Sequence, residues 1–272
     1  MSDPDAEALA EGLRPLTDDP SRGAVFCDVD GTLAPIVDRP EESHVREGVP
    51  LLLSRLGRRY GCVACVSGRS VAEARRLVGV GSIAYVGSHG AEVMHAGDER
   101  PHLLDAFASW EGRTRAFVRD RANGSELKTL RVRLEDKGPI KAFHWRGSPD
   151  EDAAETLLQA VAHEAEAAGL DIHWGRKVLE IRPPVPVNKG QAVRALVERS
   201  AVRNALYGGD DVTDLDAFDT LDALVAEGAL DHAVRVGVRS PEGPAAIVER
   251  SDLAVEGVRG FTEVLAVLAE GS

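Results

Sequence analysis

No apolar run in these 272 residues approaches the length that crosses a bilayer, so no transmembrane helix is expected. The opening stretch MSDPDAEALAEGLRPLTDDP is acidic and lacks the basic start and apolar centre of a secretory signal. Cysteine is scarce: Cys27, Cys62 and Cys65 are an odd number without framework spacing, which argues against a disulfide scaffold and fits a reducing compartment. Positive charge is in deficit. With 32 Lys and Arg against 45 Asp and Glu, the formal net charge of -13 argues against a general binder of nucleic acid or anionic membrane, either of which needs a basic face. Repeats and low-complexity segments are absent as well. What these absences leave is a globular protein expected in the cytoplasm, and a monomer is expected.

Hydrophobic residues at 43% and charged residues at 28% allow a sizeable core, in one large domain or two smaller ones. Apolar runs at 25–27, 62–66 and 83–86 read as strands, and helical spacing predicts helices over 47–59 and 70–78, so the first part alternates β and α as a parallel sheet does. The pattern then changes to helix (101–123), strands (129–136, 140–146), helix (150–168) and strands (171–174, 177–182), with turns at Lys137-Gly138-Pro139 and Gly175-Arg176. That is an α+β module with an antiparallel sheet. After Pro183-Pro184-Val185-Pro186 the parallel pattern returns, with a helix at 189–200, strands at 205–207, 234–238 and 253–255, and a last helix at 260–270. The expected domains are therefore 1–104 and 183–272, which complete one α/β sheet, and an insertion at 105–182. Cys62 and Cys65 form a CxxC, but within GCVACVSG they face opposite sides of a buried strand and read as core rather than as a redox or metal site.

Four short sequences close strands or open helices in the parallel domain: CDVDGT, VSGR, NKG and GGDDVTD. Strand alternation points Asp28 and Asp30 the same way at the carboxyl end of the first strand, where parallel sheets bind ligands. The pair offers a nucleophile and a proton carrier, while Asp210, Asp211 and Asp214 offer oxygens to a hard cation such as Mg2+. Ser67 and nearby amides suit a phosphoryl group, and Lys189 supplies the positive charge that brings phosphate and carboxylate together. Each has a plainer alternative. Asp210 to Asp214 also reads as a helix N-cap, and Lys189 as a solvated helix residue.

In this order the four motifs resemble the haloacid dehalogenase (HAD) superfamily of aspartate-based phosphatases, which implies a Rossmann-like core with an inserted α+β cap of the C2 type. The resemblance implies Asp28 as nucleophile, Asp30 as acid and base, and Ser67 and Lys189 on the phosphoryl oxygens. Mg2+ would lie between Asp28, the backbone carbonyl of Asp30 and Asp210, with Asp211 or Asp214 assisting. DVDGTLAPIV, SGR, GSHGAE, EDKGPIKAFHWR, KVLEIRP and GGDDVTDLDAF further resemble the trehalose-6-phosphate phosphatase family, across both domains. That implies release of phosphate from trehalose 6-phosphate, with sugar contacts from Glu135, Lys137, His144 and Arg146, with Lys177, Glu180 and Arg182 nearby. Arg69 and the segment His89, Gly90, Glu92 join the substrate-binding expectation. Asn188, where the family often has Asp, and Trp145, where it has a smaller aromatic, depart from its pattern.

Alternation supports the sugar face independently, since His144 and Arg146 share one face of their strand and Phe143 and Trp145 the other. The plainer alternative is a set of cross-strand ion pairs. Two further functions stay open at this point: the same chemistry on another sugar phosphate, such as sucrose 6-phosphate, and a non-enzymatic sugar-phosphate sensor. A sensor has no need of the second carboxylate, Asp30.

Overall fold

The computed structural model describes residues 6–37, 43–122, 124–137, 140–185, 188–240 and 243–270. The chain opens with helix α1 (Ala6–Thr17), then β1 (Gly23–Cys27), α2 (Val49–Arg59), β2 (Cys62–Val66), α3 (Val71–Val78), β3 (Ala84–Gly87), β4 (Glu92–Met94) and the two-residue β5 (His102–Leu103). It continues with α4 (Asp105–Ala122), α5 (Ser125–Thr129), β6 (Arg133–Lys137), β7 (Ile140–His144), α6 (Glu151–Ala167), β8 (Asp171–Gly175) and β9 (Val178–Arg182). Last come α7 (Lys189–Ser200), β10 (Asn204–Gly209), α8 (Val212–Ala226), β11 (His232–Arg239), α9 (Ala245–Glu249), β12 (Leu253–Glu256) and α10 (Gly257–Glu270). Two compact units result, Met1–His102 with Val187–Ser272, and Leu103–Pro186.

The first unit is built on a sheet of order β12-β11-β10-β1-β2-β3-β4-β5, parallel from β12 to β3 and antiparallel between β3 and β4. All five residues of β1 are buried, as expected of a strand covered on both faces. Val25 and Cys27 pack in one cluster with α1, α2 and α10, through Leu13, Leu53 and Leu265 among others. On the opposite side α7 lies against α8. The carboxyl ends of β1, β2 and β10 thus carry the CDVDGT, VSGR and GGDD sequences on one rim. Ser70 and Glu73 form a capping box that starts α3, with Ser70 Oγ accepting from the Glu73 N–H at 3.3 Å.

Cys65 and Cys27 are fully buried neighbours across β1 and β2, with their sulfurs 4.0 Å apart, and all three thiols are free. Contact with the Cys65 thiol, and burial after it, push the Cys27 thiol well up. Of the CxxC pair expected in the core, Cys65 is fully buried and Cys62, at the start of β2, partly so. Among the described residues no helix is long and apolar enough to cross a membrane.

The second unit carries a four-stranded antiparallel sheet, β6-β7-β9-β8. Phe143, Trp145, Leu179 and Ile181 form its core with Leu158, Val161 and Ala165 of α6 and with Phe117 and Val118 of α4. Trp145, one of the two departures from the family pattern, stands edge-on to Trp174 at 5.9 Å between centroids. The strand expected at 129–136 begins later, because Ser125–Thr129 forms α5. Of the expected hairpin turn, Gly138 and Pro139 lie outside the described residues, as does Pro186 of the proline link.

All three tryptophans, Trp110, Trp145 and Trp174, belong to this unit, so tryptophan fluorescence reports its unfolding alone. Phe143 is 1% exposed, and Phe143→Ala should lower stability by about 3–5 kcal/mol. The check is the midpoint of urea unfolding followed by fluorescence, which should fall.

Candidate active site

Asp28 follows β1 directly, and its N–H donates to the Gly208 carbonyl at 2.9 Å, which ties the nucleophile candidate to the end of β10. The chain then reverses within four residues, as the Gly31 N–H donates to the Ala34 carbonyl at 2.7 Å. Gly31 has φ +86°, and a Cβ there would fall within 2.3 Å of the Asp210 carboxylate, so only glycine serves. Thr32 completes the turn, its hydroxyl donating to Asp210 Oδ1 at 3.2 Å. One short motif thus presents one carboxylate and orients a second that lies 182 residues later in the sequence.

Lys189 is the first residue of α7, where a positive charge runs against the helix dipole. Two carboxylates hold it there. Its ammonium donates to Asp28 Oδ1 and to Asp214 Oδ1, each at 2.7 Å, and all three residues are buried. Burial works against the charge of Lys189, but Asp214 and Asp28 outweigh it and raise its pKa. The solvated alternative for this lysine does not hold. Asn188, the other departure, caps α7, its Oδ1 accepting the Gln191 N–H at 2.9 Å.

Asp28, Asp210 and Asp214 each bring an oxygen within 4.8 Å of the others. Burial raises the pKa of Asp28 well above the carboxylate range, with Lys189 opposing and Asp214 and Asp210 adding to the rise. Asp210 is pushed up to about 6, again by burial first and by Asp214 second. Three acids around one ammonium leave an excess of negative charge, and a donor set made of carboxylate oxygens suits a hard cation. Such a site can bind a metal.

Asp214 is engaged on all sides. Oδ1 accepts from Lys189 and, at 2.6 Å, from the Tyr207 hydroxyl, while Oδ2 accepts from the N–H groups of Asp210 and Asp211 at 3.0 Å each. Asp211 differs from its expected place at the metal: its Oδ1 accepts the Val212 N–H at 2.6 Å, making it the N-cap of α8. The N-cap alternative for this segment therefore holds for Asp211, and Asp214 Oδ2, in accepting the Asp211 N–H, closes a capping box with it. Tyr207 and Thr32 were missed by sequence reasoning. Thr32 was visible as the fixed partner in DGT, whereas Tyr207, inside an apolar strand, carried no signal beyond core.

Asp30 points both carboxylate oxygens at Arg69, whose Nε and Nη2 donate to them at 2.7 and 2.6 Å. Ser67 is fully buried, its Oγ accepting the Arg69 N–H at 3.1 Å. The following loop is stitched to it: the His89 N–H donates to the Ser67 carbonyl at 3.1 Å, and the Ser88 N–H to the Arg69 carbonyl at 2.7 Å. Ser88 and His89 both hold positive φ, 51° and 58°, and the His89 ring covers Gly68, where a Cβ would meet it at 2.6 Å. Gly90 is buried in the same turn. Glu92, expected on substrate, accepts the Val71 N–H at 3.1 Å and so serves the first turn of α3.

In the second unit, the ladder registers put Arg133, Glu135, Lys137, His144, His173, Glu180 and Arg182 on the sheet face opposite the core. Glu135 meets His144 Nε2 at 2.6 Å, and the Lys137 ammonium donates to Glu180 at 3.2 Å. Glu180 also accepts from Arg182, and though burial opposes its charge, Arg182 and Lys137 hold its carboxyl below the usual value. The cross-strand ion pairs of the plainer alternative are thus present. Arg146 lies exposed beyond the end of β7. Lys177, expected in a strand, lies in the turn between β8 and β9 with φ 63° and pairs with Glu151 of α6.

A mainly parallel α/β sheet with Asp28, Asp30, Ser67, Lys189 and Asp210 on its carboxyl rim, in a chain interrupted by a unit with its own antiparallel sheet, has the fold of a HAD core with an inserted cap. The model of the trehalose-phosphatase family matches residues 26–246, and the chain belongs to that family. A probable trehalose-phosphate phosphatase of Sinorhizobium fredii is 34% identical over 267 residues, covering 96% of this chain and 94% of its own length. An uncharacterized glycosyl hydrolase of Mycobacterium tuberculosis is 36% identical over 207 residues, 74% of this chain, which spans only 15% of that longer protein. Among solved structures, a trehalose-6-phosphate phosphatase related protein is 25% identical, with a TM-score of 0.67 over 91% of this chain and 97% of its own.

The raised Asp210 fixes the sign of a pH effect. A carboxyl at about 6 in the fold, against an ordinary 3.8, binds its proton more tightly when folded, so its unfavourable contribution is absent near pH 4, grows toward pH 6 and stays above it. A bound cation should cancel that contribution. The rise in Tm on adding Mg2+ to chelator-treated protein should therefore be larger at pH 7.5 than at pH 5, and Asp210→Asn should remove most of the difference.

Proposed function

We propose that this chain hydrolyses trehalose 6-phosphate to trehalose and inorganic phosphate, with Asp28 as nucleophile and Mg2+ as its cation. The observation that carries the reading is a buried Asp28 bonded to Lys189 beside Asp210, in a chain of the trehalose-phosphatase family. Asp28, the backbone carbonyl of Asp30 and Asp210 would hold the cation. When bound, it neutralises phosphoryl oxygens that the carboxylates would otherwise repel.

An Asp28 oxygen attacks phosphorus, the bond to the sugar oxygen breaks with its electron pair, and Asp30 supplies the proton that this oxygen takes. Water then attacks the aspartyl-phosphate, leaves its proton on Asp30, and phosphate departs as the bond to Asp28 breaks. Lys189 has three donors, of which Asp28 and Asp214 take two, so the third is available to a phosphoryl oxygen. Both oxygens of Asp30 are occupied by Arg69, and a substrate oxygen that draws the guanidinium away would release Asp30 to act. The polar sheet face of the second unit supports sugar recognition, because a disaccharide needs donors and acceptors together and Glu135, Lys137, His144, Glu180 and Arg182 supply both. The three free thiols support a cytoplasmic setting.

Asp28→Asn keeps the shape of the side chain and removes the nucleophile, so phosphate release from every substrate should stop. Release near the wild-type rate would end the covalent reading. A panel of sugar phosphates, assayed with and without Mg2+, should single out trehalose 6-phosphate; equal or better turnover of sucrose 6-phosphate would reassign the sugar.

Glu135→Ala or His144→Ala should lose about 1–3 kcal/mol of transition-state binding on trehalose 6-phosphate. The same variants should leave p-nitrophenyl phosphate, which has no sugar, nearly unaffected. Equal losses on both substrates would make these residues supports of the fold rather than contacts to sugar.

A further inference from the structure

Tyr207 is fully buried in β10, its ring edge-on to Phe218 of α8 at 6.2 Å between centroids. Phenylalanine would pack there as well without a hydroxyl to bury, and a buried hydroxyl is tolerated only when it is bonded. This hydroxyl has one bond, to Asp214 Oδ1 at 2.6 Å. The same oxygen accepts the Lys189 ammonium, which in turn donates to Asp28. A continuous buried chain therefore runs from Tyr207 through Asp214 and Lys189 to the carboxylate that attacks phosphorus.

An ionised carboxylate has about four acceptor positions. On Asp214 four protein donors fill them: Tyr207, Lys189 and the N–H groups of Asp210 and Asp211. A cation would have to displace one of the four. Asp210 is less committed, since one of its oxygens accepts from Thr32 at 3.2 Å while its N–H is spent on Asp214.

We propose that Tyr207 and Asp214 act together as positioning residues for Lys189 and stand outside the metal's ligand shell, although Asp214 lies within reach of it. The inference rests on the reading of Asp28 as nucleophile. Tyr207 donates into Asp214 and so divides its charge between two donors. Without that donor, Asp214 draws the ammonium toward itself and away from Asp28 and the phosphoryl oxygen that Lys189 serves. The effect falls on the chemical step, on any substrate, and not on sugar or metal affinity.

The test joins kinetics with direct metal binding. Tyr207→Phe should lower kcat about tenfold on trehalose 6-phosphate and on p-nitrophenyl phosphate alike, with KM and the Mn2+ dissociation constant, read by electron paramagnetic resonance, unchanged. Asp210→Asn should lose Mn2+ binding, whereas Asp214→Asn should keep it and lose turnover. An unchanged kcat in Tyr207→Phe would make the tyrosine a core residue only. Loss of Mn2+ binding in Asp214→Asn, to the degree seen in Asp210→Asn, would make Asp214 a ligand. Should either variant fail to fold, the anomalous Mn2+ peak in wild-type crystals decides: an Asp214 oxygen bonded to the ion overturns the proposal, and one that keeps all four protein donors supports it. An active Asp28→Asn would overturn the catalytic reading instead, and the metal-binding results would stand apart from it.

Discussion

One buried ammonium faces three buried carboxylates, and the architecture of the first unit follows from keeping them together. Unit charges about 4 Å apart interact by about 4 kcal/mol at an effective dielectric near 20, so each like-charge neighbour matters as much as a packed side chain. Pairing β1 with β10 puts Asp28 and Asp210 side by side, and the packing of α7 on α8 sets Lys189 between Asp28 and Asp214. Local preferences yield to this arrangement. A lysine opens a helix against the dipole, a glycine takes positive φ where a side chain would strike a carboxylate, and a serine and histidine hold left-handed backbone beside them. These are the positions where a stability-driven sequence would read differently.

The polar sheet of the second unit solves a related problem with weaker means. Several of its charges are already paired, Glu135 with His144 and Glu180 with Lys137 across strands, and Glu180 with Arg182 along one strand. A sugar that binds there exchanges one set of hydrogen bonds for another. Recognition by exchange costs less ordering than recognition by mobile side chains, because the partners already hold them in place.

Much of this was legible because two periodicities carry it. Alternation in β7 separated Phe143 and Trp145 from His144, and the alternation of β and α segments gave the parallel core and a separate antiparallel module. What escaped depended on contacts between distant segments. Nothing near Glu92 tells that its carboxylate serves Val71, and Lys177 reads as the start of a strand but sits in the preceding turn, where it meets Glu151. Asp211 and Asp214 look alike in sequence and share a capping box, yet only the buried Asp214 also gathers Lys189 and Tyr207. The short α5 was hidden because five residues are too few to show a helical period.

The sheet register joins Gly23 to Asn204 and Cys27 to Gly208, with the whole second unit synthesised between them. During translation β1 and β2 emerge with one flank of β1 unpaired, and that flank stays open until about 180 further residues have been added. The second unit, whose helices and hairpins contact one another locally, can fold while the first still waits for its central partner. Asp28 therefore spends its early life on an open strand edge, without the lysine that neutralises it. The carboxyl rim is thus completed only after the entire second unit has left the ribosome.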